Sequence, residues 1–273
     1  FNHAAIVTPD YEIYHPIESE MTGNHTIITW GNAAGGTPTM YKPLLQHFAS
    51  WGFVVVATTS RSSNAELLIG GVDLMAALNV EPDGIFEGQL NLDVVAASGH
   101  SLGGGAAIGA ANQDPRIQVV CIGNSAPQDS TMTVTEGSMF IMGSINDPIA
   151  NENLLQGIYD HSELPTVWGV LGRGSHFQYM GNGQAFRGYA TAWLMAETQN
   201  DSYARGAFYG DCEICGHPDW TVQMKNMECN ALSVFAREYG ALTSDLNYNI
   251  PCDVNRDGDI DGSDLAEFAA GFK

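Results

Sequence analysis

The sequence predicts a doubly wound α/β fold built on a mainly parallel sheet. Three observations support this: short apolar runs rich in Val, Ile and Ala, helical patterns between them, and regular alternation of the two along the first three-quarters of the chain. Runs that are apolar throughout are typical of strands buried on both faces, as the strands of a parallel sheet are.

Two kinds of segment alternate along the chain. The predicted strands are His3–Thr8, Thr26–Trp30, Gly52–Thr58, Leu92–Ser98, Ile117–Gly123, Ser138–Gly143 and Pro165–Leu171. The predicted helices are Tyr41–Ser50, Ala65–Leu78, Ser101–Asn112 and Ala185–Thr198. Around Cys212 the composition changes and the alternation stops. We therefore expect one α/β domain at residues 1–228 and a small helical appendage at residues 229–273.

Length and charge limit the classes of protein. A chain of 273 residues can bury a large core, and 44% hydrophobic with 15% charged residues excludes bulk disorder. The 31 Asp and Glu against 10 Lys and Arg give a net charge of −21. Nucleic acid and anionic membrane surfaces attract basic patches, so this balance argues against both as partners. The longest apolar stretches are of strand length, too short to span a bilayer.

Four of the five cysteines lie in the last quarter of the chain, at Cys212, Cys215, Cys229 and Cys252. This clustering predicts disulfides and a secreted protein, because disulfides persist in oxidising compartments. Four cysteines allow three pairings, and the sequence leaves all three open. A zinc site that begins with the C-x-x-C pair is the alternative, although the spacing beyond that pair is irregular.

The sharpest motif is Gly99-His100-Ser101-Leu102-Gly103, which fits the G-x-S-x-G pattern of a nucleophile elbow. A predicted strand precedes it and a small-residue helix follows it. In such a turn the serine hydroxyl stands clear of the sheet, and the two glycines lack side chains so that the turn can close. We predict Ser101 as a nucleophile and the Leu102 N–H as an oxyanion donor.

A serine nucleophile needs a base, and the base needs an orienting acid. In folds with this elbow the partners follow in the order Ser, Asp or Glu, His. His176 comes directly after the last predicted strand, at the carboxyl edge of the sheet, where ligands bind in open α/β folds. His161 and His217 are the weaker candidates, because one lies in a polar segment and the other in the cysteine-rich closure.

The acid and the second oxyanion donor are predicted from their places after strands. Asp147 lies in the segment Ile145-Asn146-Asp147-Pro148 just after the predicted strand, with Asp160 as the first reserve and Glu163 as the second. The second oxyanion N–H is assigned to Asn32, since a glycine-rich loop after an early strand lets the backbone approach a substrate carbonyl.

Several stretches together resemble the polyester hydrolase and bacterial cutinase family of α/β-hydrolases, and the related chlorophyllase and dienelactone-hydrolase-like enzymes. These stretches are the elbow with its run of glycines, HFASWGFVVVATTSRSS (47–63), Asp147-Pro148-Ile149-Ala150 and Gly174-Ser175-His176-Phe177. The resemblance covers about residues 1–215. It implies a secreted serine ester hydrolase that works through an acyl-enzyme, with Ser101, His176 and Asp147 as its triad. Esters, including polyesters such as PET, are then the expected substrates.

The resemblance also implies which residues line the substrate site. They are Gly31, His100, Gln128, Ile149 and Phe177. Polyester-degrading members usually carry aromatic residues at the positions of Asn32 and Gln128, so both aromatic clamps are replaced here. Two alternatives therefore stay open: a carbohydrate esterase that removes acetyl or feruloyl groups from plant cell-wall material, and a scaffold protein with a decayed hydrolase domain.

The acidic C-terminal segment has the spacing of an EF-hand loop. Oxygen-bearing side chains occupy loop positions 1, 3, 5, 7, 9 and 12: Asp253, Asn255, Asp257, Asp259, Asp261 and Asp264. Gly258 is at position 6, where the loop turns sharply. With the following helix the segment resembles one dockerin repeat, which implies structural Ca²⁺ and a cohesin-type partner. Only one intact loop is present, so we expect a Ca²⁺-stabilised appendage; a solvated acidic tail is the alternative.

Overall fold

A nine-stranded mixed sheet forms the centre of the molecule. The computed structural model describes residues 2–127, 129, 131–210, 212–227, 239–240, 242, 252 and 257–271. The strands are β1 (His3–Val7), β2 (Tyr11–Pro16), β3 (His25–Gly31), β4 (Val54–Thr58), β5 (Leu90–His100), β6 (Ile117–Gly123), β7 (Ser138–Ser144), β8 (Thr166–Leu171) and β9 (Trp220–Lys225). Their order across the sheet is β1-β2-β4-β3-β5-β6-β7-β8-β9.

Seven α-helices are described in these ranges. They are α1 (Lys42–Ser50), α2 (Ala65–Leu78), α3 (Leu102–Ala111), α4 (Glu152–His161), α5 (Phe186–Gln199), α6 (Ser202–Arg205) and α7 (Gly262–Gly271). Side chains of α1 and α5 pack into the core on one face of the sheet, and those of α2, α3 and α4 pack into a second core on the other face.

The central strands are parallel, and the edges are antiparallel. Strands β4, β3, β5, β6, β7 and β8 pair in parallel, whereas β1, β2 and β9 pair antiparallel with their neighbours. Every residue of β4, β7 and β8 is buried, as expected for runs that are covered by helices on both faces. The predicted α/β fold with its largely parallel sheet is confirmed.

Besides the four-residue helix α6, three elements of the main domain were not predicted from the sequence. Strand β2 mixes apolar residues with Glu12 and ends in Pro16, and β9 was assigned to the cysteine-rich closure. Helix α4 carries Gly157 and reads as a polar segment, yet Asn151 caps it by accepting a hydrogen bond from the N–H of Leu154. All three lie at the periphery of the sheet, where partial exposure weakens the hydrophobic pattern.

A disulfide joins Cys212 and Cys215. This bond excludes the two pairings in which either residue bonds to Cys229 or Cys252, and it excludes the zinc alternative at the C-x-x-C pair. Cys229 lies outside the described residues. Cys121 is a free, buried cysteine in the sheet.

Only part of the predicted appendage is described. The predicted domain boundary at residues 228 and 229 lies outside the described residues, as do the predicted calcium ligands Asp253 and Asn255. In the remainder of the loop Gly258 has a φ of 99°, which matches the sharp turn predicted at position 6. Helix α7 follows directly. Among the residues that the structure describes, no helix has the length and apolarity to cross a membrane.

Candidate active site

Ser101 lies in the turn between β5 and α3, in a strained backbone conformation. Its φ is 56° and its ψ is −120°, a region that a residue with a side chain rarely adopts. A Cβ on Gly99 would overlap the carbonyl of Gly103, and a Cβ on Gly103 would overlap the carbonyl of Gly31. The two glycines of the motif are therefore required by close backbone contact between β5, α3 and the end of β3.

His176 connects Ser101 to Asp147 through two hydrogen bonds. Its Nδ1 lies 2.8 Å from Asp147 Oδ2, and its Nε2 lies 2.9 Å from Ser101 Oγ. A carboxylate only accepts, so Nδ1 carries the proton of the neutral ring, and the Ser101 hydroxyl donates to Nε2. All three residues are buried, with the histidine 6% exposed. Ser101 and His176 are 75 positions apart in the sequence. The fold nevertheless aligns them with Asp147, so that the serine proton can pass to His176.

Asp147 is held by hydrogen bonds on both of its carboxylate oxygens. Oδ1 accepts from the backbone N–H groups of Ile149 and Ala150, at 2.8 and 2.9 Å. Oδ2 accepts from His176 and also from the side-chain amide of Asn124, at 2.7 Å. Asn124 was missed in the sequence; the available signal was its place directly after β6, at the same sheet edge as the other site residues.

In this geometry a histidine can accept the proton of a serine hydroxyl while a carboxylate holds its ring in place. A family model described as PET hydrolase-like matches residues 10–226 of the chain. The chain belongs to the PET hydrolase-like family. The polyester hydrolase resemblance drawn from the sequence is thereby confirmed, and membership implies a hydrolase that acts on ester bonds. No curated protein matches the chain.

The match of the PET hydrolase-like family ends at Asn226, one residue after β9. It therefore includes Ser101, Asp147 and His176 with the whole sheet apart from β1. The segment with the EF-hand spacing lies beyond it. The dockerin resemblance gains no support from this family.

His100 does not reach the substrate surface of this PET hydrolase-like chain, which corrects the prediction from the sequence. Its ring is fully buried and lies between the Tyr41 hydroxyl, 2.9 Å from Nδ1, and the carbonyl oxygen of His176, 2.6 Å from Nε2. Burial, the largest influence, lowers the pKa of His100 to about 4, so the ring is neutral near pH 7. Gly31 is also buried, packed against Gly103.

Asn32 is hydrogen-bonded to the end of β4 and the loop that follows it. This differs from the expectation that its N–H is available to an oxyanion. Its side-chain amide donates to the carbonyls of Thr58 and Ser60, and its backbone N–H donates to Ser63 Oγ at 2.8 Å. The N–H that was assigned to the oxyanion is therefore already bonded. Leu102, the other predicted donor, opens α3, where the N–H groups of the first turn have no partner inside the helix.

Two predicted substrate contacts do lie at the surface beside the triad. The side chain of Phe177 is 60% exposed, and its ring lies edge-on to His176 with 5.7 Å between the ring centres. Ile149 is 53% exposed and follows Asp147 by two positions. Gln128, the remaining predicted contact, lies outside the described residues.

The reserve candidates have other surroundings, and the triad is formed without them. Asp160 is exposed on α4 and accepts from Gln156, and Glu163 is exposed in the loop after that helix. His161 bonds to the carbonyl of Gly157 at the end of α4, and His217 accepts from the N–H of Asp219. The histidine and the carboxylate that the structure places in line with Ser101 are His176 and Asp147, the two first candidates.

Proposed function

We propose that this chain is a secreted serine carboxylic ester hydrolase that works through an acyl-enzyme. Ser101 is the nucleophile, His176 the general base and acid, and Asp147 the group that orients the imidazole. The observation that carries the proposal is the pair of hydrogen bonds from Asp147 through His176 to the strained Ser101. The disulfide between Cys212 and Cys215 supports secretion, because such bonds persist in oxidising compartments.

Ester hydrolysis uses Nε2 of His176 as the proton carrier while Nδ1 stays bonded to Asp147. Ser101 Oγ attacks the ester carbonyl carbon while Nε2 takes the hydroxyl proton; then the bond to the alcohol oxygen breaks and Nε2 returns the proton to the leaving group. In the second half a water molecule gives its proton to Nε2 and attacks the acyl carbonyl. The acid leaves, and the Ser101 hydroxyl is restored.

The negative charge that forms on the carbonyl oxygen needs hydrogen-bond donors. The N–H of Leu102 is one donor, since it stands at the N-terminus of α3, beside the nucleophile. The N–H of Asn32 is proposed as the second. At rest it is held by Ser63 Oγ, so the substrate oxygen has to replace that hydroxyl.

The surface beside the triad favours an ester with an apolar part. Ile149 and Phe177 expose hydrophobic side chains beside the triad, so an apolar acyl or alcohol group gains by covering them. Asn32 turns its side chain into the protein and offers no aromatic surface. We therefore propose aliphatic polyesters or apolar esters in preference to acetylated sugars.

Hydrolysis of graded p-nitrophenyl esters, an aliphatic polyester film and acetyl-xylan tests the proposal. We expect turnover of butyrate or longer esters, labelling of Ser101 by a fluorophosphonate, and loss of both in Ser101→Ala, with the melting temperature maintained. Acetyl-xylan as the best substrate would favour the carbohydrate esterase instead. A folded wild-type chain that turns over no ester and takes no label would leave only the scaffold protein.

We also propose that the C-terminal loop binds Ca²⁺ as a structural ion. Carboxylate oxygens of Asp257, Asp259 and Asp264 all lie within 4.8 Å of one another, and Asp264 is fully buried, so three negative groups converge where a cation fits. Asp261 instead accepts from the N–H and hydroxyl of Ser263 at the start of α7. The ion would hold the loop, and a cohesin-type partner is not part of this proposal.

A further inference from the structure

Tyr41 and His100 link the loop after β3 to the backbone of His176. The N–H of Ala33 donates to Tyr41 Oη at 3.1 Å, Tyr41 Oη lies 2.9 Å from His100 Nδ1, and His100 Nε2 lies 2.6 Å from the carbonyl oxygen of His176. Both connecting side chains are fully buried. The chain of bonds therefore runs under the site without reaching solvent.

The donor or acceptor capacity of each group assigns a direction to all three hydrogen bonds. The carbonyl oxygen of His176 only accepts, so Nε2 of His100 carries the hydrogen. The buried ring is neutral, hence Nδ1 accepts, and the hydroxyl of Tyr41 donates to it. The remaining lone pair of Tyr41 Oη takes the N–H of Ala33. Only one direction of donation satisfies all three bonds.

We propose that Tyr41 and His100 are positioning residues, which fix the backbone of His176 and the loop that carries Asn32 relative to each other. The inference rests on the proposed function and deepens it. His176 is tied by its ring to Ser101 and Asp147 and by its carbonyl to His100, so a shift of the carbonyl moves the ring. The other end of the chain holds Ala33, next to the proposed oxyanion donor.

The alternative role is packing alone. The Tyr41 ring contacts Trp30 at 5.1 Å and the His100 ring at 5.8 Å between ring centres, so the two side chains also fill the core. Tyr41→Phe separates the two roles, since it keeps the ring and removes the hydroxyl. Without that hydroxyl, His100 Nδ1 has lost its donor and the Ala33 N–H its acceptor.

The test is made on the full chain with p-nitrophenyl butyrate. We expect Tyr41→Phe to lower kcat about tenfold, with KM within about twofold of wild type, because misplaced catalytic groups slow the chemical step. The rate of Ser101 labelling by a fluorophosphonate should fall in parallel. Tyr14→Phe is the matched control: its ring is also fully buried and its hydroxyl bonds to Glu12, on β2. We expect kcat of the control to equal that of wild type.

Substitution of His100 provides a second, independent arm. Glutamine is not isosteric with histidine, but His100→Gln retains an amide donor for the His176 carbonyl, whereas His100→Leu has none. We expect kcat to fall about a hundredfold in the leucine variant, and the loss in the glutamine variant to be smaller by at least about fivefold. If Tyr41→Phe does not fold, this comparison decides the inference.

The outcomes separate the inference from the function beneath it. A wild-type chain without ester turnover and without label on Ser101 overturns the proposed function. An active wild type with equal kcat for Tyr41→Phe and Tyr14→Phe overturns the positioning role alone. The positioning role is also overturned if His100→Gln and His100→Leu lower kcat equally, or if Tyr41→Phe raises KM while its kcat stays constant.

Discussion

Asn124 donates its side-chain amide to Asp147 Oδ2, the same oxygen that accepts the Nδ1–H of His176. Two donors therefore converge on one oxygen, at 2.7 and 2.8 Å, while the other oxygen is held by two backbone N–H groups. Asn124 has a φ of 46° and is fully buried at the end of β6. Asp147 is thus held by donors from the segments that follow β6 and β7 as well as by His176.

Replacing Asn124 with Ala should weaken the orientation of the acid. A hydrogen bond to a charged group contributes about 1.5–3 kcal/mol, and part of this loss should raise the barrier to reaction, so we expect kcat to fall about tenfold. The measurement is steady-state hydrolysis of p-nitrophenyl butyrate. Asn112→Ala is the control, because that side chain bonds to Thr133 and Thr135 instead. Equal kcat in the two variants would contradict the role of Asn124.

The glycines of the elbow should differ sharply from an unconstrained glycine. Gly99→Ala places a methyl group into the backbone of Gly103, which cannot move aside as a flexible side chain would, so we expect a loss of several kcal/mol in the free energy of unfolding. Gly188 lies in α5 with open space around it, and Gly188→Ala should raise stability by up to about 1 kcal/mol. Urea unfolding curves measure both. A Gly99→Ala protein as stable as wild type would disprove the packing account.

Most of this site could be predicted from the sequence because its residues lie just after strands. Ser101, Asp147 and His176 each lie in the turn or loop that follows a parallel strand, and the carboxyl ends of such strands meet at one edge. The glycine spacing of the elbow then indicated the serine, and the chain order of serine, acid and histidine limited the candidates for the other two residues. Asn124 also follows a parallel strand, but the pattern of serine, acid and histidine contains no amide, so the pattern does not indicate Asn124.

The parts that were missed depend on contacts between distant segments. Nothing in the local pattern shows that Tyr41, at the start of α1, reaches His100, or that the N–H of Asn32 meets Ser63 across the β3 and β4 loops. His100 was assigned to the substrate site from the family resemblance, although alternate residues in a strand point to opposite faces. Edge strand β9 was missed because the disulfide segment before it dominated the pattern.

Ser63→Ala tests whether the Ser63 hydroxyl competes with substrate for the N–H of Asn32. Removing it leaves that N–H free, while the amide of Asn32 stays bonded to Thr58 and Ser60. We therefore expect kcat to be unchanged or to rise by up to about fivefold, which corresponds to about 1 kcal/mol. A fall of about a hundredfold or more would instead identify the Ser63 hydroxyl as an oxyanion donor. The melting temperature, measured alongside, reports on the loop.

His47 should make the protein less stable in mild acid. Burial, the larger cause, and the nearby Arg187 lower the pKa of His47 to about 4. The unfolded chain takes up a proton on this residue below about pH 6.5, whereas the folded chain does not until about pH 4, so stability is present above pH 6.5 and is lost as the pH falls through this window.

His47→Gln removes this titration and keeps a polar partner for Thr191, whose hydroxyl lies 3.1 Å from His47 Nε2. Between pH 7.5 and pH 5 we expect wild type to lose roughly 1 kcal/mol more unfolding free energy than the variant, an amount reduced from the full pKa shift because the ring is only half-buried. Urea unfolding at the two pH values gives the difference. His100, with its pKa also near 4, is present in both proteins and cancels. Equal losses would contradict the assignment to His47.

Calcium should stabilise the C-terminal segment and leave the esterase site unchanged. Asp257, Asp259 and Asp264 bring their carboxylates together, so a bound cation relieves their repulsion in the folded loop. A ligand that binds only the folded state at about a hundred times its Kd stabilises that state by about 2.7 kcal/mol. We expect excess chelator to lower the melting temperature of this segment and added Ca²⁺ to restore it. Calorimetry measures both changes. Asp264→Asn should abolish the response, whereas Asp160→Asn, at an exposed position of α4, should retain it. Identical melting curves with chelator and with Ca²⁺ would leave the loop as a solvated acidic segment.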